Sequence, residues 1–211
     1  MSLKTVRRAI ADGSRYHVSA WLVACPGPAV SFGKMEPRFR RLTRDDFVTL
    51  SDWFSRPHVE PWWREACDAA SIEKNYGPSV DGLDPTELFV IERGGRPIGF
   101  VQRYLFDENP IWKRSLAPTG EHEKAVGIDY LIGDEALIGM GLGPQIIDAF
   151  VRSTSERYPG ASEIVVAVQQ ANRRSWRALE KAGFERTWSG DLESDDPSDT
   201  APSFVYVRRS S

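Results

Sequence analysis

A glycine-rich turn that follows an apolar strand is the feature of this sequence with the clearest chemical meaning. Glycines let the backbone close around an anion, and the amide groups and dipole of a helix N-terminus favour negative charge. Pro144 is expected to open the helix that follows the turn. The pattern predicts a site for a phosphorylated ligand, formed by Gly139, Met140, Gly141, Leu142 and Gly143.

Asp129 lies in the apolar strand before this turn. Because side chains alternate along a strand, Asp129 faces away from Ile128 and Tyr130. A carboxylate in an apolar strand is costly unless it is paired or lies in a solvated cleft. In a cleft it can accept the proton that an ammonium group must lose before it attacks a carbonyl carbon. Asp129 is therefore a candidate general base, and an exposed strand face is the alternative.

The spacing of the glycines excludes two common phosphate-binding motifs. Glycines alternate over residues 139–143, which does not match the dinucleotide pattern G-x-G-x-x-G. The Gly-Lys-Ser/Thr ending of a P-loop is also missing. The phosphorylated ligand is thus expected to be neither a dinucleotide on a Rossmann domain nor a nucleotide on a P-loop.

Periodicity and turn signals arrange the rest of the chain as alternating strands and helices around this site. We predict strands at residues 39–42, 87–93, 97–106, 126–132, 163–168, 184–188 and 203–207, and helices at 43–56, 71–76, 144–157 and 172–181. Residues 107–125 are polar with two prolines and are interpreted as a long loop. This alternation indicates an α/β or α+β fold with a mixed sheet. Residues 1–35 are interpreted as an N-terminal extension and 36–211 as the domain.

Composition restricts the class of protein and partner. The chain has 211 residues, 41% of them hydrophobic, and a formal net charge of −3, which argues against a nucleic-acid partner. Cys25 and Cys67 have no metal-binding or CxxC spacing, so reduced thiols in a cytoplasmic protein are expected. No stretch approaches a membrane span, and no membrane partner or metal is expected. The chain is expected to be a monomer or a homodimer.

A second motif follows the strand at residues 163–168. Residues 172–184 read N-R-R-S-W-R-A-L-E-K-A-G-F, and with the glycine turn they resemble the GCN5-related N-acetyltransferase superfamily. The resemblance implies acetyl-CoA as the acetyl donor, with its pyrophosphate on the glycine turn. It also implies a mixed, mostly antiparallel sheet with helices on both faces, splayed between residues 126–132 and 163–168 to admit the pantetheine arm. The further cofactor contacts that it implies are Leu131, Ile132, Asn172 and Ser175.

Three further segments resemble one branch of that superfamily, the aminoglycoside 6′-N-acetyltransferases. They are P-H-V-E-P-W-W at 57–63, P-I-G-F-V-Q at 97–102 and G-I-D at 127–129. The resemblance implies that Trp62, Trp63 and Gln102 line the pocket for the acceptor amine, and that Asp129 binds the amine and acts as catalytic base. A solvent-facing helix surface is an equal alternative for Arg173, Arg174 and Arg177, which are candidates for the coenzyme A phosphates.

An acidic run lies near the C-terminus, at Asp191, Glu193, Asp195, Asp196 and Asp199. Such a run is usually a solvated loop. It can also attract a polyamine substrate by long-range electrostatic steering, and on that interpretation Asp199 is a candidate acceptor contact.

Two positions depart from the pattern of the family. Leu179 stands where many members carry a tyrosine that is the proposed proton donor to the cofactor sulfur, and Tyr130 is the candidate replacement. Ala167 stands where the aminoglycoside branch often carries an aspartate. Two alternatives stay open beside a small-molecule N-acetyltransferase, one from the related siderophore-biosynthesis acyltransferases, which share much of this layout, and one from these two departures. They are a siderophore hydroxylysine N-acyltransferase and a non-catalytic module that binds acyl-CoA.

Overall fold

The computed structural model describes residues 36–192 and 201–209. The predicted N-terminal extension, residues 1–35, and most of the acidic run lie outside the described residues. The strands are β1 (Arg38–Arg41), β2 (Glu87–Arg93), β3 (Arg96–Leu105), β4 (Val126–Ile132), β5 (Glu163–Gln169), β6 (Glu185–Gly190) and β7 (Ser203–Arg209). The helices are α1 (Phe47–Ser55), α2 (Glu60–Trp63), α3 (Ala69–Val80), α4 (Pro110–Leu116), α5 (Leu142–Arg157) and α6 (Arg173–Lys181).

The strands form one sheet in the order β1-β2-β3-β4-β5-β7-β6. Neighbouring strands are antiparallel except β4 and β5, which are parallel. This confirms the predicted mixed, mostly antiparallel sheet. A parallel pair needs a crossover connection, and α5 supplies it between β4 and β5.

Helices cover both faces of the sheet. Residues that alternate along a central strand therefore pack into two different cores. On β3, Phe100 packs with α1, α2 and α3, whereas Val101 packs with α5 and α6. The apolar side of α1 lies on the first of these faces, where Leu50, Trp53 and Phe54 are buried. The helices that carry the two sequence motifs therefore share one face of the sheet.

Packing explains two of the differences from the predicted elements. The helix expected at residues 71–76 continues through Pro78 to Val80, because Pro78 stands near its C-terminal end and the helix is anchored by buried Ile72 and Tyr76. The expected loop at 107–125 contains α4, in which Pro110 occupies the first helical turn, where proline is tolerated. Its buried side chains, Trp112 and Leu116, are four residues apart. Within the described ranges, no helix is long and apolar enough to cross a membrane.

A buried ion pair joins β2 to β3 beneath α5. Arg103 Nε donates to Glu87 Oε2 at 2.5 Å, and the guanidinium group lies 5.0 Å from the ring centre of Phe89. Arg41 also donates to Glu87. Burial by itself would raise the pKa of Glu87, but the hydrogen bond and charge of Arg103, with the help of Arg41, outweigh it and hold that pKa below its usual value.

We expect Glu87→Gln to lower the free energy of unfolding by about 3 kcal/mol at pH 7, the lower end of the range for removing one partner of a buried ion pair. A carboxylate with a lowered pKa in the folded state contributes stability above its unfolded pKa, and loses it as pH falls through the folded value. The difference between wild type and variant should therefore shrink below about pH 4.3. Urea denaturation at several pH values measures it, and a constant difference down to pH 3 would contradict this account.

Candidate active site

The sheet opens between β4 and β5. Only Val126 with Ile164 and Gly127 with Val165 are paired, and the two strands then diverge. The predicted splay is therefore confirmed. The divergence leaves the edge of β4 from Ile128 onward unpaired by β5, so this backbone faces the cleft.

Asp129 lies on β4 two residues after the last pair with β5, opposite Gln102 of β3. Gln102 Nε2 donates to Asp129 Oδ2 at 2.8 Å, and Asp129 is only 8% exposed. The pKa of Tyr104 is raised well above its usual value, first by burial and then by the charge of Asp129, to which it is hydrogen-bonded. The amide of Gln102 thus holds the carboxylate of Asp129 in position against β3.

The resemblance implies that Gln102 lines the acceptor pocket, and the structure places it on β3 directly beside Asp129. Its side chain is fully buried and contacts Asp129 from the neighbouring strand. Gln102 therefore reaches the site through Asp129.

Two cavities occupy the cleft and meet each other. The larger has a volume of about 380 Å³ and is lined along β4 by Leu131 and Ile132 and from the helices by Gly143, Arg173 and Arg174. The smaller one is lined by Asp129 on β4 and by residues of β5, including Ala167 and Gln169. Five residues line both cavities: Trp62, Trp63, Tyr130, Asn172 and Ser175.

The glycine turn leads into α5 at the larger cavity. Gly139 and Gly141 have φ values of 81° and 75°, in the left-handed region that favours glycine. Gly141 is the N-cap, so α5 begins at Leu142, two residues before the predicted start at Pro144. Gly143 lines the cavity, whereas Met140 is 61% exposed outside it. The first amide groups of α5 have no partner within the helix and favour an anion.

The start of α6 adds positive charge to the same cavity. The Asn172 side chain accepts from Ser175 N at 3.2 Å and caps the helix. Arg173 and Arg174 follow in the first turn and line the cavity. Cations are unfavourable at the positive end of a helix dipole, so an anion bound between α5 and α6 would stabilise both arginines.

The tryptophan pair lies on α2, across the cleft from α6. Trp63 is buried, with its ring centre 5.3 Å from that of Phe54 and 5.7 Å from that of Phe100. Trp62 is only half-buried. Neighbouring residues cannot both face the core, and Trp62 is the one whose indole is available to a ligand.

Tyr130 and Ser175 form a hydrogen bond across the cleft, with 2.8 Å between their oxygens. Burial raises the pKa of the Tyr130 phenol most strongly, and the negative charge of Asp129 adds to this against the lowering effect of Ser175. Leu179 is fully buried in the core, one turn after Ser175 on the same helix. Asp199 lies outside the described residues.

Sequence reasoning missed His58 and Gln169. His58 lines the larger cavity, and its Nε2 is 3.0 Å from the carbonyl oxygen of Ile132, a contact between residues 74 positions apart that no local pattern reveals. Gln169 ends β5 and lines the smaller cavity. The sequence signal for Gln169 was its position directly after the strand predicted at 163–168. Because β5 borders the cleft, a residue at the end of this strand lies beside the site.

Comparisons with known proteins agree with this geometry. Residues 43–192 match the acetyltransferase (GNAT) domain family. The chain is 31% identical over 152 residues to aminoglycoside N(6′)-acetyltransferase type 1 of Klebsiella pneumoniae and of Serratia marcescens, covering 70% of this chain and 73% of each relative.

Solved structures of an enzyme named AAC(6′)-Ib are similar as well. Its complex with paromomycin and acetyl-CoA has a TM-score of 0.68 at 26% identity and covers 82% of this chain and 93% of the other. Its complex with ribostamycin and coenzyme A gives 0.69 at 27% identity, with the same coverage. The splayed sheet and the glycine turn at the start of a helix agree with these matches. The chain therefore belongs to the GNAT acetyltransferase family.

Proposed function

We propose that this protein transfers the acetyl group of acetyl-CoA to a primary amine of an aminoglycoside, at the 6′ position, with Asp129 as general base. The observation that carries the proposal is the hydrogen-bonded carboxylate of Asp129 in the smaller cavity, at its junction with a larger cavity whose positive groups suit a phosphorylated donor. The proposal assigns the donor to the larger cavity and the amine to the smaller one.

The residues of the larger cavity fit coenzyme A. The first amides of α5, together with Arg173 and Arg174, are suited to phosphate groups. The unpaired edge of β4, including Leu131 and Ile132, can hydrogen-bond to the amides of a pantetheine arm as a neighbouring strand would. Acetyl-CoA supplies an acetyl group that is already activated as a thioester.

The smaller cavity fits an amine attached to a ring. Asp129 attracts the ammonium group and accepts its proton, directly or through a water molecule. Trp62 offers an aromatic face to a sugar ring or a cation. The similarity to enzymes that were solved with paromomycin, ribostamycin and kanamycin supports an aminoglycoside as the acceptor. Asp199 stays a predicted acceptor contact.

An amine panel tests the proposal. Purified protein is incubated with acetyl-CoA and kanamycin, ribostamycin, simple alkylamines and a hydroxylysine, and both thiol release and product masses are measured. Acetylated kanamycin modified at the 6′ amine is the expected product. Preferential reaction with the hydroxylamine would support the siderophore alternative. Tight binding of coenzyme A without turnover on any amine would overturn the proposal.

Trp62 provides a test of the acceptor side. We expect Trp62→Ala to raise the KM for the amine about 10-fold, since an aromatic contact contributes about 1 kcal/mol or more. Trp62→Phe retains an aromatic face and should restore most of the affinity. Steady-state kinetics at saturating acetyl-CoA measure both variants, and an unchanged KM in Trp62→Ala would rule out the contact.

A further inference from the structure

The junction of the two cavities identifies where the reacting groups have to meet. If the proposed function holds, the thioester comes from the larger cavity and the amine from the smaller one. The thioester carbon must then lie within reach of the five residues that line both cavities, because bond formation requires the reacting atoms to be about 3 Å apart. A group at this junction can touch the sulfur as it leaves.

Tyr130 and Ser175 provide the hydroxyl groups of this junction. Their hydrogen bond of 2.8 Å joins β4 on one side of the cleft to α6 on the other. The other side chains at the junction are engaged differently. Asn172 caps α6 through its side-chain oxygen. Trp63 packs with aromatic residues in the core on the face of the sheet that α1, α2 and α3 cover.

The next position on this face of α6, Leu179, offers no proton. Leu179 follows Ser175 by four residues, so the two lie on the same face of the helix. Leu179 is aliphatic and fully buried, and an aliphatic side chain cannot donate to a thiolate. The hydroxyl of Tyr130 reaches α6 one turn earlier, at Ser175, and there it lies at the junction of the two cavities.

We propose that Tyr130 is a catalytic residue that donates the proton to the leaving sulfur, with Ser175 orienting its hydroxyl group. The amine nitrogen, after Asp129 has taken one ammonium proton, forms a bond to the thioester carbon. When the adduct collapses, the carbon–sulfur bond breaks and its electron pair goes to sulfur, which takes the Tyr130 proton and leaves as a thiol.

The protons of this step balance. The adduct nitrogen loses its second proton as the amide forms, and that proton returns to the Tyr130 oxygen through the Ser175 hydroxyl. The proton on Asp129 passes to solvent, so one proton is released for each ammonium group acetylated. The raised pKa of Tyr130 means that the phenol carries its proton at neutral pH, so the proton is present when the sulfur leaves.

Tyr130→Phe tests the donor, since it removes only the hydroxyl group. We expect kcat for amine acetylation to fall about 100-fold, the usual contribution of a general acid, while the Kd for coenzyme A changes little. Tyr206→Phe is the matched control, because Tyr206 is also buried and donates to Glu180 of α6 at 2.9 Å. It should retain the kcat of the wild type. Equal kcat values in Tyr130→Phe and wild type would overturn the proposal.

A second measurement does not depend on turnover. The thiol of bound coenzyme A is titrated by the ultraviolet absorbance of its thiolate. A donor at sulfur stabilises the thiolate, so the pKa of the bound thiol should be about one unit higher in Tyr130→Phe than in wild type. Ser175→Ala should shift it in the same direction, and it decides the matter if Tyr130→Phe does not fold.

The two proposals fail in distinguishable ways. An identical thiol pKa in wild type and variants would show that Tyr130 only spans the cleft. Failure of the wild type to acetylate any amine would overturn the proposed function, while the thiol titration still decides whether Tyr130 contacts the sulfur.

Discussion

Asp129→Asn is expected to lower kcat by roughly 10²–10⁴-fold, the range that a general base contributes. Asparagine has nearly the same shape, and its oxygen can still accept the hydrogen bond from Gln102 Nε2. The fold and the larger cavity should therefore be preserved, and the variant should bind coenzyme A as the wild type does. The amide cannot take a proton from an ammonium group near neutral pH, so the loss should appear in the chemical step.

Steady-state kinetics with kanamycin and calorimetric titration with coenzyme A separate these effects. Asp107→Asn is the matched control, because Asp107 is an exposed carboxylate paired with Lys113 outside both cavities. It should retain wild-type kinetics. A near-normal kcat in Asp129→Asn would remove the role of Asp129 as base, and a loss of coenzyme A binding would point to a structural role instead.

Gly99→Ala is expected to lower the free energy of unfolding by about 3 kcal/mol, the upper part of the usual range for overpacking. A Cβ atom at Gly99 would lie 2.2 Å from the carbonyl oxygen of Leu131 and 3.2 Å from Cα of Ile132. These are backbone atoms of β4, so relief requires β3 and β4 to move apart. Leu131 and Ile132 line the larger cavity, and we therefore also expect weaker coenzyme A binding.

Gly160→Ala is the matched control for this change. A Cβ atom at Gly160 would meet nothing within 4 Å, and its backbone is not in the left-handed region. This variant should be as stable as the wild type or slightly more so, because alanine reduces the freedom of the unfolded chain. Urea denaturation and coenzyme A titration on both variants provide the measurements. Similar stabilities of the two variants would show that β3 and β4 can adjust at Gly99.

Much of the fold was predictable because its elements carry local signals. The strands around Gly94 and Gly95 and the helix ended by Gly183 depend on turn chemistry that acts over a few residues. The predictions failed where packing overrode such signals. Pro78 is held within α3 by buried Ile72 and Tyr76, and Pro110 starts a helix because Trp112 and Leu116 find a core.

The candidate site likewise contains residues that the sequence predicted and residues whose contacts only the structure reveals. Gly143, Asn172 and Ser175 were predicted from motifs, and all three line the larger cavity. Gln102 was expected in the acceptor pocket, and what the structure adds is that its side chain is buried and donates to Asp129, which depends on the pairing of distant strands. His58 was not expected, because its contact with Ile132 joins segments far apart in the chain.

The sequence by itself determined the family, the glycine turn and the carboxylate of Asp129, because each of these depends on residue types at short spacing. The tertiary structure decided which of these groups meet. The divergence of β4 and β5 after Gly127 creates the cleft, and it brings Tyr130 to Ser175, which is 45 residues later. Such contacts arise from strand pairing and helix packing between distant segments, whose register no local pattern encodes.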